Sequence, residues 1–528
     1  MAGERQSPGM GKDWNEQVQP FLLVSLILFA LLEACRWLRR WRKRPRSPPG
    51  PFAWPLVGNV MQLGKSPHLA FSRMAKRYGD LFQIRLGRRN IVVLNGEGTI
   101  REALLQNSVQ FAGRPDFASF RLVSGGKSMA FGRYSRQWNA HRRLAQSTLR
   151  SFSTSDHQTR LLLEHHVQVE ACQLLQVFLR RGAGGRHFQP YPELTVAAAN
   201  VMCALCFGRR YSHDDQEFRR ILSRNDRFSR TVGAGSLVDV MPWLQAFPNP
   251  VRSVYHDFKQ LNREFFEFVR FKVDQHRRTY SPEIIRDMSD AFIEALEGDK
   301  PAEEGLSQEH VEGSVTDILG ASQDTTSTAL SWILFHLIQF PHLQAKLQRD
   351  IDEVVGRDRL PAAQDKDRLP YLEAFLYEIM RFTSFVPMTI PHATTSPVDI
   401  NGYHIPQDTV VFINQWSVNH DRDKWKDPST FDPRRFLNAD GTINRDLTNS
   451  VMIFSAGKRR CIGEQMSKIQ TFLFTAILVH QCTFEANPSE KLSTDCEYGL
   501  TIKPMPFTML VRLRDKLIPE AASRQRAQ

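Results

Sequence analysis

The chain has 528 residues, of which 41% are hydrophobic and 24% charged, so it is long enough to bury a large core. Its formal net charge of +13 favours a membrane surface or an acidic partner. No run of lysine and arginine is interleaved with aromatic residues, which argues against nucleic-acid binding. The seven cysteines are scattered and form no disulfide framework, a pattern that suits a reducing compartment.

The N-terminus carries an uncharged run over residues 18–32, then Glu33, then seven cations between Arg36 and Arg46. A bilayer-spanning helix needs roughly 20 mostly apolar residues, so the span must include Glu33. Cations after the run hold that end in the cytosol, whereas a cleaved signal peptide would carry its cations before the run. The sequence therefore predicts an uncleaved membrane anchor with a basic stop segment over residues 1–47. A second domain would cover residues 48–528 on the cytosolic side.

The body of the chain is typical of a mostly helical domain. Residues 81–96 (LFQIRLGRRNIVVLNG) predict two strands around a glycine turn. Apolar residues at helical spacing then predict helices over residues 134–152, 250–280, 309–340 and 371–383. Residues 408–415 and 507–513 predict further strands. The predicted fold class is mainly α with a minor β region.

Near the C-terminus, residues 454–463 (FSAGKRRCIG) place Cys461 behind three consecutive cations and ahead of a strongly helical segment. Nearby cations and a helix N-terminus lower the pKa of a thiol and favour the thiolate, the form that binds metals. Gly457 and Gly463 remove side chains on either side, which lets a broad, flat group approach the backbone. Phe454 can cover the sulfur.

Three interpretations of Cys461 compete. A catalytic nucleophile needs a paired histidine, which the sequence alone does not identify. An axial thiolate ligand to haem iron explains more of the segment. The glycines would make room for the flat porphyrin ring, and Arg459 would bind one of its propionates. The third interpretation is a buried cysteine before a helix, which is the ordinary setting of a lone cysteine. The combination of residues favours the haem ligand.

Residues 454–463 are similar to the F-x-x-G-x-R-x-C-x-G signature of the cytochromes P450. The resemblance extends from PPGPFAWPLVGN through FASFRLVSGGKSMAFG and TIPHATT to YGLTIKP, and it is strongest to the first family, subfamily B, of vertebrates. It implies the cytochrome P450 fold behind a single N-terminal transmembrane anchor helix. It also implies haem b with the Cys461 thiolate as axial ligand to the iron.

The resemblance implies roles for three residues that brace the haem pocket. Glu378 and Arg381 match the ExxR motif of the family, and residues three apart share one face of a helix and can pair. Arg435 lies in the downstream PxRF element. Together the three residues imply a buried structural ion network.

Further residues are implied to bind the haem propionates. Trp138 and Arg142 match the family's WxxxR motif, whose indole N–H and guanidinium hold one propionate, and arginine suits a carboxylate because of its bidentate fork. His392 stands where the family usually carries an arginine or histidine for the other propionate.

Residues 317–332 (DILGASQDTTSTALSW) concentrate hydroxyl side chains that compete for backbone carbonyls and bend helices. One interpretation is a close contact between helices through small residues. The other, which the resemblance favours, is a local opening over the iron with Asp324 and Thr325 as an acid–alcohol pair that delivers protons to O2. Ser322 replaces the glycine that is usual in the family.

The resemblance also implies a narrow pocket for planar, lipophilic substrates, since aromatic rings stack on flat ligands and a small residue leaves room near the iron. Its pocket positions correspond here to Phe120, Phe131, Asn225, Phe228, Phe265, Ala321, Gln323 and Ile390.

The expected function is that of a membrane-bound haem-thiolate monooxygenase that hydroxylates or epoxidises lipophilic substrates. Such substrates include steroids such as oestrogens, retinoids, polyunsaturated fatty acids and polycyclic aromatic compounds. Electrons are expected from an NADPH-dependent flavoprotein reductase, with a small acidic haem protein as a second candidate donor. The chain has no GxGxxG in a βαβ unit, so we do not expect it to bind the nicotinamide itself.

A basic surface offers a docking site for such an acidic partner, with Arg133, Arg136, Arg143, Lys458 and Arg460. The expected location is the endoplasmic reticulum membrane, with a mitochondrial fraction as a further alternative. Two rival functions remain open at this point. One is a haem-thiolate isomerase or dehydratase that acts on lipid hydroperoxides, and the other is a non-enzymatic haem sensor.

Overall fold

A computed structural model describes residue 24 and residues 46–155, 157–232, 237–297 and 303–515. Most of the predicted anchor, residues 1–47, lies outside the described residues. Within those ranges, no helix is both long enough and apolar enough to cross a bilayer. The chain divides into a small unit, Met1–Ser47 with Gly402–His404, and a large unit, Pro48–Asn401 with Ile405–Gln528. The core and the site described below belong to the large unit.

The helices, numbered in chain order, are α1 Val60–Leu63, α2 Pro67–Tyr78, α3 Glu97–Arg101, α4 Arg136–Arg150, α5 His157–Arg181, α6 Tyr191–Phe207, α7 Gln216–Val232, α8 Leu237–Val240, α9 Pro250–Arg278, α10 Met288–Glu294, α11 Glu309–Gln339, α12 Pro341–Val355, α13 Pro370–Thr383, α14 Gln415–Asn419, α15 Arg445–Ser450 and α16 Glu464–Gln481. The strands are β1 Leu81–Leu86, β2 Arg89–Leu94, β3 His392–Ala393, β4 Val398–Ile400, β5 Tyr403–Ile405, β6 Val410–Ile413, β7 Cys482–Ala486, β8 Cys496–Glu497, β9 Lys503–Pro504 and β10 Met509–Leu513.

The architecture is mainly helical with a minor β region, as predicted. The predicted long helices correspond to α4, α9, α11 and α13, and each begins or ends within a few residues of its expected boundary. Proline explains two of the starts, because Pro250 and Pro370 occupy the first helical position, where a missing N–H costs nothing. In α9 the Asn249 side chain also caps the helix by accepting the Arg252 N–H.

The larger sheet has the strand order β1-β2-β6-β3. Strands β1 and β2 form the predicted antiparallel hairpin, with Leu81 opposite Leu94, and the turn contains Gly87 at a φ of +58°. Strand β6 lies parallel to β2, with Ile91 opposite Val410. The strand predicted over residues 507–513 is β10, which pairs antiparallel with β7. Of the ten described strands, the sequence predicted the β1–β2 hairpin, β6 and β10, but it did not predict the pairing of β6 with β2 or of β10 with β7.

Helix α11 runs through the middle of the helical core. It packs most extensively on α6 and also contacts α7, α9, α13 and α16. Nearly all of its side chains from His310 to Ile338 are buried, so the helix is enclosed on every side. The site lies where this enclosure is interrupted, next to residues 320–325.

Candidate active site

A cavity of about 360 Å³ lies beside α11, and its wall is mostly apolar. Its polar lining includes Cys461, Arg459, Asp324 and Thr325. These residues come from distant parts of the chain, so the tertiary fold assembles the site. Cys461 keeps accessible surface because it faces this cavity.

The loop before α16 holds Cys461 by its backbone. The Cys461 N–H donates to the carbonyl oxygen of Phe454 at 2.9 Å. The Cys461 sulfur faces the cavity but is shielded from bulk solvent, and this desolvation raises the pKa of its thiol. The Gly463 N–H, Arg142 and Arg460 lower that pKa. The predicted lowering by a neighbouring cation is therefore present at Arg460, but desolvation outweighs it and the net shift is upward. A cation at the sulfur would supply the charge that stabilises the thiolate.

The two glycines of this loop have different roles. Gly457 has a φ of +68°, and a Cβ added there would lie 1.9 Å from the carbonyl oxygen of Leu104. Gly457 therefore allows the loop to approach another backbone segment, and it does not line the cavity. Gly463 does line it, and a Cβ there would make an ordinary contact of 3.9 Å with the Cys461 sulfur.

A group of cations, two of them buried and Arg142 half-buried, lies on the cavity wall. Arg459 is 8% exposed and Arg114 is 5% exposed. Arg142 lines the same cavity, and in the described part of the chain no carboxylate forms an ion pair with any of the three. Burial, followed by the charges of Arg114 and Arg142, lowers the pKa of Arg459 to about 7. The cluster is therefore electrostatically unfavourable until an anion joins it.

Backbone carbonyls fix the orientation of these arginines. Arg459 donates to the carbonyl oxygens of Ala112 at 2.8 Å and Gly132 at 2.8 Å. Arg114 donates to that of Ala130 at 2.9 Å and that of Ile390 at 3.0 Å. These neutral acceptors orient the guanidinium groups without neutralising them.

The two residues of the WxxxR motif, Trp138 and Arg142, have different surroundings. Trp138 lies under the Arg459 guanidinium, 3.8 Å from the ring centroid, and its indole N–H donates to the Met129 carbonyl oxygen at 2.8 Å. That donor is therefore engaged by the backbone. Arg142 lines the cavity and donates to the carbonyl oxygen of Arg460.

His392 also lines the cavity and is 1% exposed. Its Nδ1 lies 2.6 Å from the carbonyl oxygen of Phe111, so this nitrogen carries the hydrogen. Burial and the charge of Arg114 lower the pKa of His392 well below its usual value. The ring is neutral here, and only a nearby anion would favour a second proton that Nε2 could donate.

Helix α11 remains continuous through its hydroxyl-rich part, so the expected local opening is not a break in the helix. The Thr325 hydroxyl donates to the Ala321 carbonyl oxygen at 2.9 Å. Asp324 turns to the other side, where its carboxylate accepts from Ser229 at 2.7 Å and Thr501 at 2.9 Å. Lys503 lies 2.9 Å from its second oxygen. The acid and the alcohol both line the cavity, but each forms its hydrogen bonds with other residues.

Six of the eight predicted pocket residues lie on the cavity wall: Phe131, Asn225, Phe228, Phe265, Ala321 and Ile390. The other two lie just behind it. Phe120 packs edge-on against Phe131, with ring centroids 4.8 Å apart. Gln323 accepts a hydrogen bond from Asn225 at 2.7 Å.

The predicted ion network is assembled away from the cavity. Arg381 donates to both carboxylate oxygens of Glu378, at 2.7 and 2.8 Å, and both side chains are fully buried. Arg435 donates to the same carboxylate at 3.0 Å. Arg381 also donates to the carbonyl oxygens of Asn419 and Pro428, which ties α13 to the end of α14 and to the segment that follows it.

Sequence reasoning missed two residues of the site, Arg114 and Lys503. A single arginine in a loop gives no local signal, and lysine is almost always exposed. Both become recognisable only when the fold removes them from water and places them beside the cavity.

The donor set of the cavity fits a haem. Its carboxylates are the anions that the unneutralised cluster of Arg114, Arg142 and Arg459 lacks, and Cys461 on the same wall offers a sulfur to the iron. The mostly apolar wall suits a porphyrin ring.

Comparisons with known proteins agree with this geometry. The family model described as Cytochrome P450 matches residues 48–511. Cytochrome P450 1B1 of Rattus norvegicus is 54% identical over 522 residues, covering 97% of this chain and 96% of the relative. Cytochrome P450 1B1 of Homo sapiens is 56% identical over 508 residues, covering 95% and 94%. Cytochrome P450 1A1 of Cavia porcellus is 43% identical over 490 residues, covering 91% and 94%. The chain therefore belongs to the cytochrome P450 family, the monooxygenases that carry haem on a cysteine thiolate.

Proposed function

We propose that this monooxygenase hydroxylates or epoxidises lipophilic, often planar substrates at a membrane surface, with electrons from an NADPH-dependent flavoprotein reductase. The observation that carries the proposal is the cavity itself. The Cys461 sulfur, several aromatic side chains and the small side chain of Ala321 all line this one cavity. A flat apolar molecule that enters this space approaches the position where the cofactor binds.

The aromatic residues favour flat ligands. Phe228 is stacked on Phe258 at 5.3 Å between ring centroids, and Phe131 and Phe265 also face the cavity. Offset or edge contacts with such rings favour planar substrates over bulky ones. Steroids such as oestrogens, retinoids, polyunsaturated fatty acids and polycyclic aromatic compounds are the classes that we propose. Asn225 supplies a polar contact for a substrate hydroxyl.

The roles proposed for the protein side chains follow from their positions. Cys461 would bind the iron, and Arg114, Arg142, Arg459 and His392 would hold the propionates. Bound haem supplies the activation of O2, from which one atom enters the substrate and the other leaves as water. Thr325 would hold a proton-bearing water near the place where O2 binds.

Asp324 would replenish the proton that Thr325 holds. The carboxylate lies one residue from Thr325 on α11, at the cavity wall. This role requires it to exchange its present partners for a water on the Thr325 side, since Ser229 and Thr501 now donate to it.

The proposed electron donor docks on the cationic surface around the Cys461 loop. Lys458 and Arg460 are exposed there, and Arg142 links α4 to the loop through the Arg460 carbonyl oxygen. Arg136 and Arg143 are exposed on α4. An acidic flavoprotein, or a small acidic haem protein, complements this surface. Turnover should then fall as salt is raised, and turnover that is indifferent to salt would contradict ionic docking.

Membrane attachment is supported by exposed apolar side chains. Phe52, Trp54 and Leu56 are 72%, 55% and 79% exposed, and they precede strand β1. Trp243 and Phe247 are 46% and 59% exposed. Both segments lie near the turn after β1, because the Gly87 N–H donates to the Val57 carbonyl oxygen at 3.3 Å and Gly87 also lies against residues 240–241. Such a patch suits a lipid surface. We propose the endoplasmic reticulum membrane, with the residue 1–47 anchor, and a mitochondrial fraction as an alternative.

The deciding experiment uses purified holoenzyme, reductase and NADPH with an oestrogen or a polycyclic hydrocarbon. The wild-type protein should form oxygenated product, and its reduced carbon monoxide complex should absorb near ~450 nm because of the thiolate. Cys461→Ser should lose both properties, and Cys496→Ser, a second exposed cysteine, should lose neither.

The rival functions predict other results. A haem sensor would show the ~450 nm band without NADPH-driven product. An isomerase or dehydratase would convert a lipid hydroperoxide without reductase and would ignore Thr325. Thr325→Ala should instead divert electrons from product to hydrogen peroxide, and unchanged coupling would contradict the role proposed for Thr325.

A further inference from the structure

The partners of Asp324 come from two other parts of the chain. Ser229 on α7 donates to one carboxylate oxygen at 2.7 Å, as does Thr501 at 2.9 Å. The other oxygen faces the Lys503 ammonium at 2.9 Å. The exposed fractions of the Asp324 and Lys503 residues are both 4%. The charge of the acid is therefore balanced by one buried ammonium rather than by water.

That ammonium is shared with a second acid on α7. Lys503 also forms an ion pair with Asp226, whose carboxylate accepts from the Tyr191 hydroxyl at 2.8 Å. Burial would lower the pKa of Lys503, but Asp324, Tyr191 and Asp226 together raise it well above its usual value. The ammonium therefore stays charged, and its position between Asp226 and Asp324 sets how strongly it holds each of them.

The helix that carries Asp226 and Ser229 also touches the substrate cavity. Asn225, Phe228 and Ser229 line that cavity, and Asp226 lies on the same part of α7. A ligand that presses on Asn225 or Phe228 therefore acts on the part of the helix that carries Asp226 and Ser229. Asn225 donates to Gln323 at 2.7 Å, which makes a second link between α7 and α11 next to Asp324.

The ion pair also separates two cavities. Asp324 lines the active-site cavity, whereas Lys503, Asp226 and Tyr191 line a second cavity of about 420 Å³. A shift of α7 therefore changes the wall between the two spaces and the hydrogen bonds of Asp324 together.

From this arrangement we propose that Lys503 is a positioning residue for Asp324, and that occupancy of the substrate pocket controls its hold on that acid through Asp226 and Ser229 on α7. With the pocket empty, Lys503, Ser229 and Thr501 keep the carboxylate turned away from Thr325. A ligand against Asn225 and Phe228 shifts α7 away from Asp324. This shift withdraws Ser229 directly and draws Lys503 away through its ion pair with Asp226. The carboxylate is then released toward Thr325 only when a substrate is present.

This inference rests on the proposed role of Asp324, and it explains what that role leaves open. The acid as placed faces its partners and not Thr325, so proton delivery needs a release step. Linking release to substrate prevents protons from reaching oxygen in an empty pocket. Energetically, removing one neighbour of a buried carboxylate costs more than removing one at the surface, so a small displacement of α7 has a large effect.

The first test needs no turnover. Phenanthrene, a planar hydrocarbon, is added to resting holoenzyme, and its binding is followed by the Soret shift. The infrared difference spectrum between bound and free protein should contain a carboxylate band that is absent from Asp324→Asn. The same band should be lost in Asp226→Asn, because Lys503 then no longer responds to α7. A Soret shift without a band sensitive to Asp324→Asn would overturn the inference.

The second test measures NADPH consumption without substrate. Lys503→Met should raise this rate about fivefold, equivalent to roughly 1 kcal/mol, because the acid is no longer held away from Thr325, and Lys503→Arg should restore most of the wild-type value. Each variant is first checked for the ~450 nm band, and Ser229→Ala, which removes another contact that holds the carboxylate, replaces Lys503→Met if the latter does not fold. An unchanged rate in Lys503→Met, together with less product per NADPH consumed in Asp324→Asn, would overturn this inference alone. Normal coupling in Asp324→Asn would instead overturn the role proposed for Asp324.

Discussion

Replacing Glu378 by glutamine tests the buried ion network. The substitution keeps the size of the side chain and removes its charge, so Arg381 is left fully buried without a carboxylate. Arg435, the second cation on the same carboxylate, is left without its acid as well. Removing one partner of a buried ion pair costs about 3–5 kcal/mol, because the remaining charge is neither solvated nor neutralised. That cost corresponds to an increase of about a hundredfold to several thousandfold in the ratio of unfolded to folded protein.

The measurement is urea unfolding of the holoenzyme, followed by far-ultraviolet circular dichroism and by the ~450 nm band. The matched control is Glu485→Gln, which breaks the ion pair with Arg512 between β7 and β10. The side chains of this pair are 42% and 63% exposed, so its loss should cost about 0–1 kcal/mol.

The double variant Glu378→Gln/Arg381→Met should lose less stability than the sum of the two single variants, since no unpaired charge remains between them. If Glu378→Gln lost no more stability than Glu485→Gln, the reasoning from burial would be refuted.

Three further predictions concern stability and cofactor retention. Gly457→Ala should destabilise the protein clearly more than Gly441→Ala in urea unfolding; both glycines have positive φ, worth about 1–2 kcal/mol, but only Gly457 lies against another backbone segment. His276→Gln should cost stability at about pH 6 and little at high pH. The hydrogen bond to Asp287 raises the pKa of His276 in the folded protein. The contribution of this bond to stability is therefore complete below 6.5, the pKa of the unfolded protein, and is lost as pH rises through the pKa of the folded protein. Arg459→Met should release haem faster to a haem-accepting protein, about tenfold for each 1.4 kcal/mol lost, and an unchanged rate would contradict the propionate-binding role that we propose for Arg459.

Local features of the sequence were enough to predict several elements. The hairpin of β1 and β2 follows from alternating apolar residues around Gly87, and α9 follows from a proline start and helical spacing. The Cys461 loop was recognisable because its glycines, cations and following helix are contiguous. In each case the residues that determine the element lie within about twenty positions of one another along the chain. A local sequence pattern can predict interactions over that distance.

The rest depends on contacts between distant segments. Gly457 is required by the Leu104 carbonyl, which no pattern around position 457 reveals. The raised pKa of Cys461 results mainly from desolvation by surrounding parts of the fold, so the cations next to it in the sequence were not enough to predict the net direction of the shift. The indole N–H of Trp138 binds the Met129 carbonyl oxygen, a contact that the WxxxR motif does not encode.

The two kinds of charge at the cavity wall differ in a way that separates binding from chemistry. Arg459 and Arg114 are held by neutral carbonyls, so their charge is available to a permanent anion, and it favours a bound dicarboxylate throughout the reaction. Asp324 instead has its charge balanced by the ammonium of Lys503, which also pairs with Asp226 on α7. A cation held by the backbone suits a cofactor that stays bound. A carboxylate whose partner is shared with a neighbouring helix suits the role that we propose for Asp324, in which the acid takes up and gives away a proton in each cycle. If both proposals hold, the same cavity would retain its cofactor tightly while its acid responds to substrate.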